Sequence, residues 1–124
     1  MEEIVEQLAR DAQRRYYGKY RAFVADTNDP NQSGRLRLMI PSVLGDAQSD
    51  WAEPVLPFGG TQDVGLLAIP EPNALVWAEF VEGDVSHPLW TGAAFVPMSN
   101  GSAKLGDPEI RGIRAPSGQL IALD

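Results

Sequence analysis

Cysteine is absent from the 124 residues. Disulfides, thiolate metal sites and cysteine nucleophiles are therefore excluded. Histidine occurs once, as His87 between Ser86 and Pro88. A histidine metal site needs paired spacing of the HEXXH kind, which is missing, so His87 reads as a turn residue. No serine sits in a G-x-S-x-G elbow, and Gly59-Gly60 is not followed by the Lys-Ser/Thr of a phosphate loop. Positive charge is scarce, with 10 Lys and Arg against 17 Asp and Glu and a formal net charge of -7. Nucleic-acid binding needs clustered cations that displace phosphate counterions, so the balance disfavours a nucleic-acid partner for the module as a whole. It disfavours an anionic membrane surface for the same reason. No apolar run approaches the ~20 residues of a spanning helix. The acidic start, Glu2 and Glu3, lacks the basic region of a signal peptide.

What is present is the composition of one globular domain, 44% hydrophobic with Trp, Phe and Tyr all represented. Residues 2–16 read as an amphipathic helix. Ile4, Val5, Leu8, Ala9, Ala12 and Tyr16 stack on one face, with Glu2, Glu3 and Glu6 early and Arg10, Arg14 and Arg15 late, as the helix dipole prefers. After Gly18 the period changes to that of strands. Extended segments are expected at 19–26, 35–40, 51–58, 64–69, 75–81 and 88–95, separated by Gly, Pro, Asn and Asp turns. In the second, Leu36, Leu38 and Ile40 face one way and Arg35, Arg37 and Met39 the other. In the fifth, Val76, Ala78 and Phe80 face one way and Leu75, Trp77, Glu79 and Val81 the other. Five or so short strands in about 80 residues point to a small closed barrel or sandwich, since closure removes exposed edges. Residues 97–109 read as a linker of small and polar residues. Residues 110–124 return to an extended pattern with a turn at Pro116-Ser117-Gly118. The last run, Leu120–Leu123, has no strand partner in view, and a lone strand leaves its ladder groups unpaired.

Candidates for chemistry are few. Glu79 and Glu82 form a carboxylate pair of the kind that cleaves glycosides, but they fall on an outward strand face and a turn, where solvated charge is the plainer reading. Trp51, Trp77 and Trp90 could stack sugars or bases, yet the acidic balance favours core or interface roles. Trp77 shares its face with Glu79, away from the interior, which makes it an interface candidate. The helical stripe of Ile4, Val5 and Leu8 serves either its own barrel or a partner.

Several segments occur together and in order: Gly18-Lys19-Tyr20-Arg21; Val24 to Asp29-Pro30; Gly34-Arg35-Leu36-Arg37-Leu38 with Ile40-Pro41 and Leu44-Gly45; Trp51-Ala52-Glu53-Pro54; Ala68-Ile69-Pro70; Val76-Trp77-Ala78-Glu79-Phe80; Gly83-Asp84; and Pro88-Leu89-Trp90-Thr91-Gly92. This set resembles the OB-fold domain of phage baseplate assembly protein V, the central spike of contractile tails. It is similar also to VgrG proteins of type VI secretion and to the spikes of extracellular contractile injection particles. The resemblance covers residues 18–95. One departure touches turn geometry: the family often has a Gly before the Val76 strand, where this chain reads Pro72-Asn73-Ala74.

The resemblance implies a mainly β fold: a five-stranded Greek-key OB barrel at 18–96, preceded by an N-terminal helix at 1–17. A linker follows at 97–109, and a C-terminal strand at 110–124 starts a trimeric β-prism or β-helix needle. It implies a homotrimer on the tail axis that links the tube-initiating hub to a membrane-piercing needle. The needle is nearly absent, so the chain is expected to be part of a longer spike or to take its tip from a separate polypeptide. The implied role is structural and non-enzymatic, with no cofactor or metal. The lysozyme activity of some relatives is not carried over. Expected partners are the chain itself, a tail hub protein and a spike-tip protein, with the target membrane met only through the assembled spike. The implied location is a virion baseplate or injection particle assembled in the bacterial cytoplasm. Ile4, Val5, Leu8, Leu75, Trp77, Leu120 and Leu123 are the expected trimer or hub contacts. The alternative is a generic OB module binding oligosaccharide or another protein.

Overall fold

The computed structural model describes residues 15–94 and 103–123, and the chain divides into two compact units, Met1–Ala94 and Phe95–Asp124.

In the first unit, alternation of apolar and polar residues produces strands. β1 is Tyr20–Asp26, β2 Arg37–Met39, β3 Glu53–Pro54, β4 Leu75–Phe80 and β5 Pro88–Ala93. They form one sheet in the order β2-β1-β4-β5-β3, antiparallel throughout except for the parallel pair β3–β5. Ala22 and Val24 of β1, Leu36, Leu38 and Ile40 in and beside β2, and Val76, Ala78 and Phe80 of β4 all point inward. With Ala52 and Trp90 they form one buried cluster. Each fully buried Val, Leu or Ile there contributes about 1.5–3 kcal/mol. Register shifts between Val24 and Asp26 and between Val76 and Ala78 bend the sheet around this core.

The bend does not close. The sheet is an open half-barrel, not the closed Greek-key barrel expected from the sequence. The end strands β2 and β3 share no ladder; the isolated bridges Leu36↔Ala52 and Met39↔Gln48 link the two margins. Proline explains the shortfall. Only Ile40 separates Pro41 from the three-residue β2, and Pro54 ends the two-residue β3 with no N–H to donate.

Two connections also differ from expectation. Residues following Ile40 form a short helix, α1 (Pro41–Leu44), where a loop was expected. Pro41 suits a first helical position, and the Gly45 N–H caps the Pro41 carbonyl at φ 59. The expected strand at 64–69 joins no ladder. By contrast, the turn before β4 works without glycine. Asn73 adopts φ 70 and its N–H donates to the Val24 carbonyl at 2.7 Å.

The expected N-terminal helix lies outside the described residues except at its end. There Arg15 is bridged to Asp84, and the Tyr16 N–H donates to the Gly83 carbonyl at 2.9 Å, so the backbone is extended, not helical. The rings of Tyr16, Tyr20 and Phe80 lie 5.9–6.2 Å apart and cover that end of the core.

In the second unit, β6 (Arg111–Arg114) and β7 (Leu120–Leu123) form an antiparallel hairpin. The final strand, for which the sequence shows no partner, therefore pairs within its own chain. Pro116-Ser117-Gly118 reverses the chain, with Gly118 at φ 92 and the Ala115 N–H donating to the Gln119 carbonyl at 2.8 Å. Ile113 and Ile121 face each other across the hairpin and are each 71% exposed. A free two-stranded hairpin is marginal in water.

Candidate interaction surface

The sheet that buries Ala22, Val76 and Ala78 must turn the alternate residues outward. Those residues form a stripe across β2, β1 and β4. Arg21 lies opposite Trp77, with its guanidinium 5.5 Å from the indole centroid. Phe23 comes next, flanked by Met39 on one side and Leu75 on the other. At the far end Arg37 and Arg35 lie 5.1 and 5.6 Å from the centroid of Trp51. The stripe thus runs cation, apolar, cation. Each arginine over these half-buried indoles is worth about 0.5–2 kcal/mol. Lys19 and Glu79 close the near end with an exposed ion pair of 2.6 Å, a contact of small net value.

Arg35 is held from below by Asp29, whose side chain is only 3% exposed. That carboxylate accepts hydrogen bonds from the backbone N–H groups of Asn31, Ser33 and Arg35, from the Ser33 hydroxyl, and from Arg35 Nε and Nη2. The Arg35 guanidinium, followed by these turn donors, holds the Asp29 carboxyl well below the usual carboxylate range against the opposing cost of burial. Asp29 in return raises the pKa of Arg35. The knot sets the loop between β1 and β2. Behind it the Trp90 indole N–H donates to the Gly34 carbonyl at 2.9 Å, which ties that loop to the core.

A second exposed feature is the long connection from β3 to β4. Val55, Phe58, Val64, Leu66, Leu67 and Ile69 are all exposed, Phe58 and Leu66 to 64%. Leu56, Leu66, Ala68, Trp90 and Ala93 line an apolar depression of about 300 Å³ beside it. Phe58 and Leu66 are joined by a backbone bond of 3.1 Å from the Leu66 N–H to the Phe58 carbonyl.

The first unit thus has a buried apolar core and apolar groups on its outward face. The family model of the type VI secretion system/phage-baseplate injector OB domain matches residues 20–95. The chain belongs to this family. The match spans more than half of the 124 residues and carries a baseplate- or spike-associated structural role. A search among curated proteins finds no match.

Within this injector OB domain the expected contacts divide. Leu75 and Trp77 stand half-buried on the outward face, as the alternation of β4 requires. Leu120 is half-buried in the hairpin of the second unit, and Leu123 ends β7. Ile4, Val5 and Leu8 lie outside the described residues. Arg21, Phe23, Arg37 and Trp51 were not expected as a site. The outward alternation of Arg35, Arg37 and Met39 was legible, but nothing in sequence places it beside β1 and Trp51.

The groups that resemble catalytic ones have other duties. Asp84, Ser86 and His87 sit together, but Ser86 Oγ and Asp84 Oδ2 both approach the same ring nitrogen, His87 Nδ1, at 3.2 and 3.0 Å. A catalytic triad needs the nucleophile and the carboxylate on opposite nitrogens. Asp84 instead accepts the Ser86 N–H at 3.0 Å and fixes the turn into β5, and these Ser86 bonds, then His87, lower its pKa to about 2. Glu79 is paired with Lys19, and Glu82 occupies the turn between β4 and β5 at φ 53. Among the described residues no group of three or more His, Asp or Glu is placed to hold a metal.

Proposed function

We propose that this chain is a structural component of the central spike of a contractile tail or type VI-like injection system. It works as a homotrimer that joins the tube-initiating hub to a membrane-piercing needle. The observation that carries this reading is the injector OB match over residues 20–95. Two further features support it. Leu75 and Trp77 stand on the outward face of the sheet, where companion copies would cover them. Ile113 and Ile121 leave an apolar pair on a hairpin that is marginal alone.

The mechanism is mechanical. Sheath contraction drives tube and spike forward, and the spike has to transmit load without yielding. A close-packed interior has low compressibility. The buried cluster of Leu36, Leu38, Ile40, Val76 and Trp90 supplies such an interior. The Asp29–Arg35 knot and the Trp90 bond to Gly34 hold the adjoining loop rigid. Generic binding of a sugar by the OB face gains no support, because Trp51 is already stacked by Arg35 and Arg37.

Immunogold labelling of assembled particles tests the role. Label at the distal end of the tail tube, on the axis, is expected. Label along the sheath, or none on intact particles, contradicts it.

A further inference from the structure

The charges of this chain are segregated. Between Arg37 and Lys104 the sequence carries no lysine or arginine, while Asp46, Asp50, Glu53, Asp63, Glu71, Glu79, Glu82 and Asp84 all fall there. Two exposed features of the first unit lie on opposite sides of that division. One is the stripe Arg21/Trp77, Phe23, Arg37/Trp51, which runs cation, apolar, cation. Arg21 and Arg37 have no carboxylate within ion-pair distance among the described residues. From Arg21 to the position on β1 opposite Arg37 is five residues, or roughly 16 Å at strand rise. The other is the segment 63–71, which runs acid, apolar, acid. Asp63 and Glu71 bracket Val64, Leu66, Leu67 and Ile69, all exposed. Neither carboxylate is ion-paired among the described residues. The backbone of Leu67, Ala68 and Ile69 makes no hydrogen bond to described residues.

We propose that segment 63–71 of one copy docks on the Arg21–Phe23–Arg37 stripe of the next copy. Closed rings about a threefold require such heterologous pairing, in which one patch meets a different patch of its neighbour. Here both patches are carried by the same chain and match in sign and in apolar centre. Asp63 and Glu71 pair with Arg21 and Arg37, and Leu66 covers Phe23. Burial of the pairs strengthens them over their value in water, and opposed like charges exclude a shifted register. The inference rests on the homotrimer proposed above and assigns its contact.

Charge exchange tests it in the full chain. Arg21→Glu with Arg37→Glu is expected to raise the concentration at half-assembly by roughly tenfold or more, as is Asp63→Lys with Glu71→Lys. All four changes in one chain are expected to restore assembly. The absence of cysteine allows a second measurement that reverses no charge. Phe23→Cys combined with Leu66→Cys is expected to give covalent trimers with a short bifunctional maleimide, and either change alone to give monomers on a denaturing gel. A trimeric unaltered chain whose reversed or cysteine variants behave otherwise overturns this contact and leaves the homotrimer standing. Failure of the fourfold exchange to restore what the pairs lose also overturns it. A single copy for the unaltered chain at every concentration overturns both.

Discussion

Trp77 is a residue that the core does not require and that the proposed assembly uses. Its neighbours along β4, Val76 and Ala78, are buried, while its own indole lies outward under Arg21. Trp77→Asp should therefore leave a cooperative thermal transition in place and weaken association, which light scattering reads directly. A variant that remains fully assembled contradicts the interface role. Asp29 acts in the opposite sense, within the module. Its folded pKa is depressed, so its stabilising contribution is present above the ordinary carboxylate pKa of about 4 and is lost as pH falls below it. Asp29→Asn should lower stability at neutral pH. The difference from the unaltered chain should shrink as pH drops below about 4, as denaturant titrations across pH will reveal. Gly83 shows a steric limit. A Cβ there would sit 2.8 Å from the Tyr17 ring and 3.2 Å from the Tyr16 nitrogen, at φ 77. Gly83→Ala is expected to cost more than about 1 kcal/mol in a denaturant titration.

At the scale of elements, legibility follows how local the deciding interaction is. The inward set Val76, Ala78 and Phe80 and the inward set Leu36, Leu38 and Ile40 were readable because a two-residue period needs only the strand itself. Asn73 in place of glycine cost nothing, since asparagine enters the left-handed region readily. The run Val64–Ile69 has the composition of a strand, but a strand needs a pairing partner, and the sequence does not show which runs find one. Closure failed for a related reason. Proline at 41 and 54 was visible, yet its consequence depended on β2 and β3 being the two margins of the sheet. The stripe was missed because Arg21, Phe23, Arg37 and Trp51 become neighbours only through pairing across strands. The hairpin β6–β7 was half legible. The Pro116-Ser117-Gly118 turn is visible in the sequence, but not that it returns β7 onto β6. Replacing Ile113 and Ile121 by Ser should leave the first unit's melting unchanged and reduce protection of the β6 and β7 amides in hydrogen exchange by about tenfold or more, since cross-strand apolar pairs sustain short hairpins. Unchanged protection would contradict a role for that pair.

At the scale of the whole molecule, the chain combines a buried apolar half-barrel core, an outward stripe of arginines on tryptophans, an acidic and apolar loop, and a hairpin with an exposed isoleucine pair. The proposed assembly would bring the few cations of this acidic chain against its own carboxylates. That arrangement is compatible with the homotrimer proposed for this injector OB domain. The most direct test is the native mass of the intact chain by analytical ultracentrifugation at physiological salt. Three times the 13.5 kDa of one chain, held over a hundredfold dilution into the low micromolar range, is the expected result. A species of one chain's mass at every concentration would contradict the account.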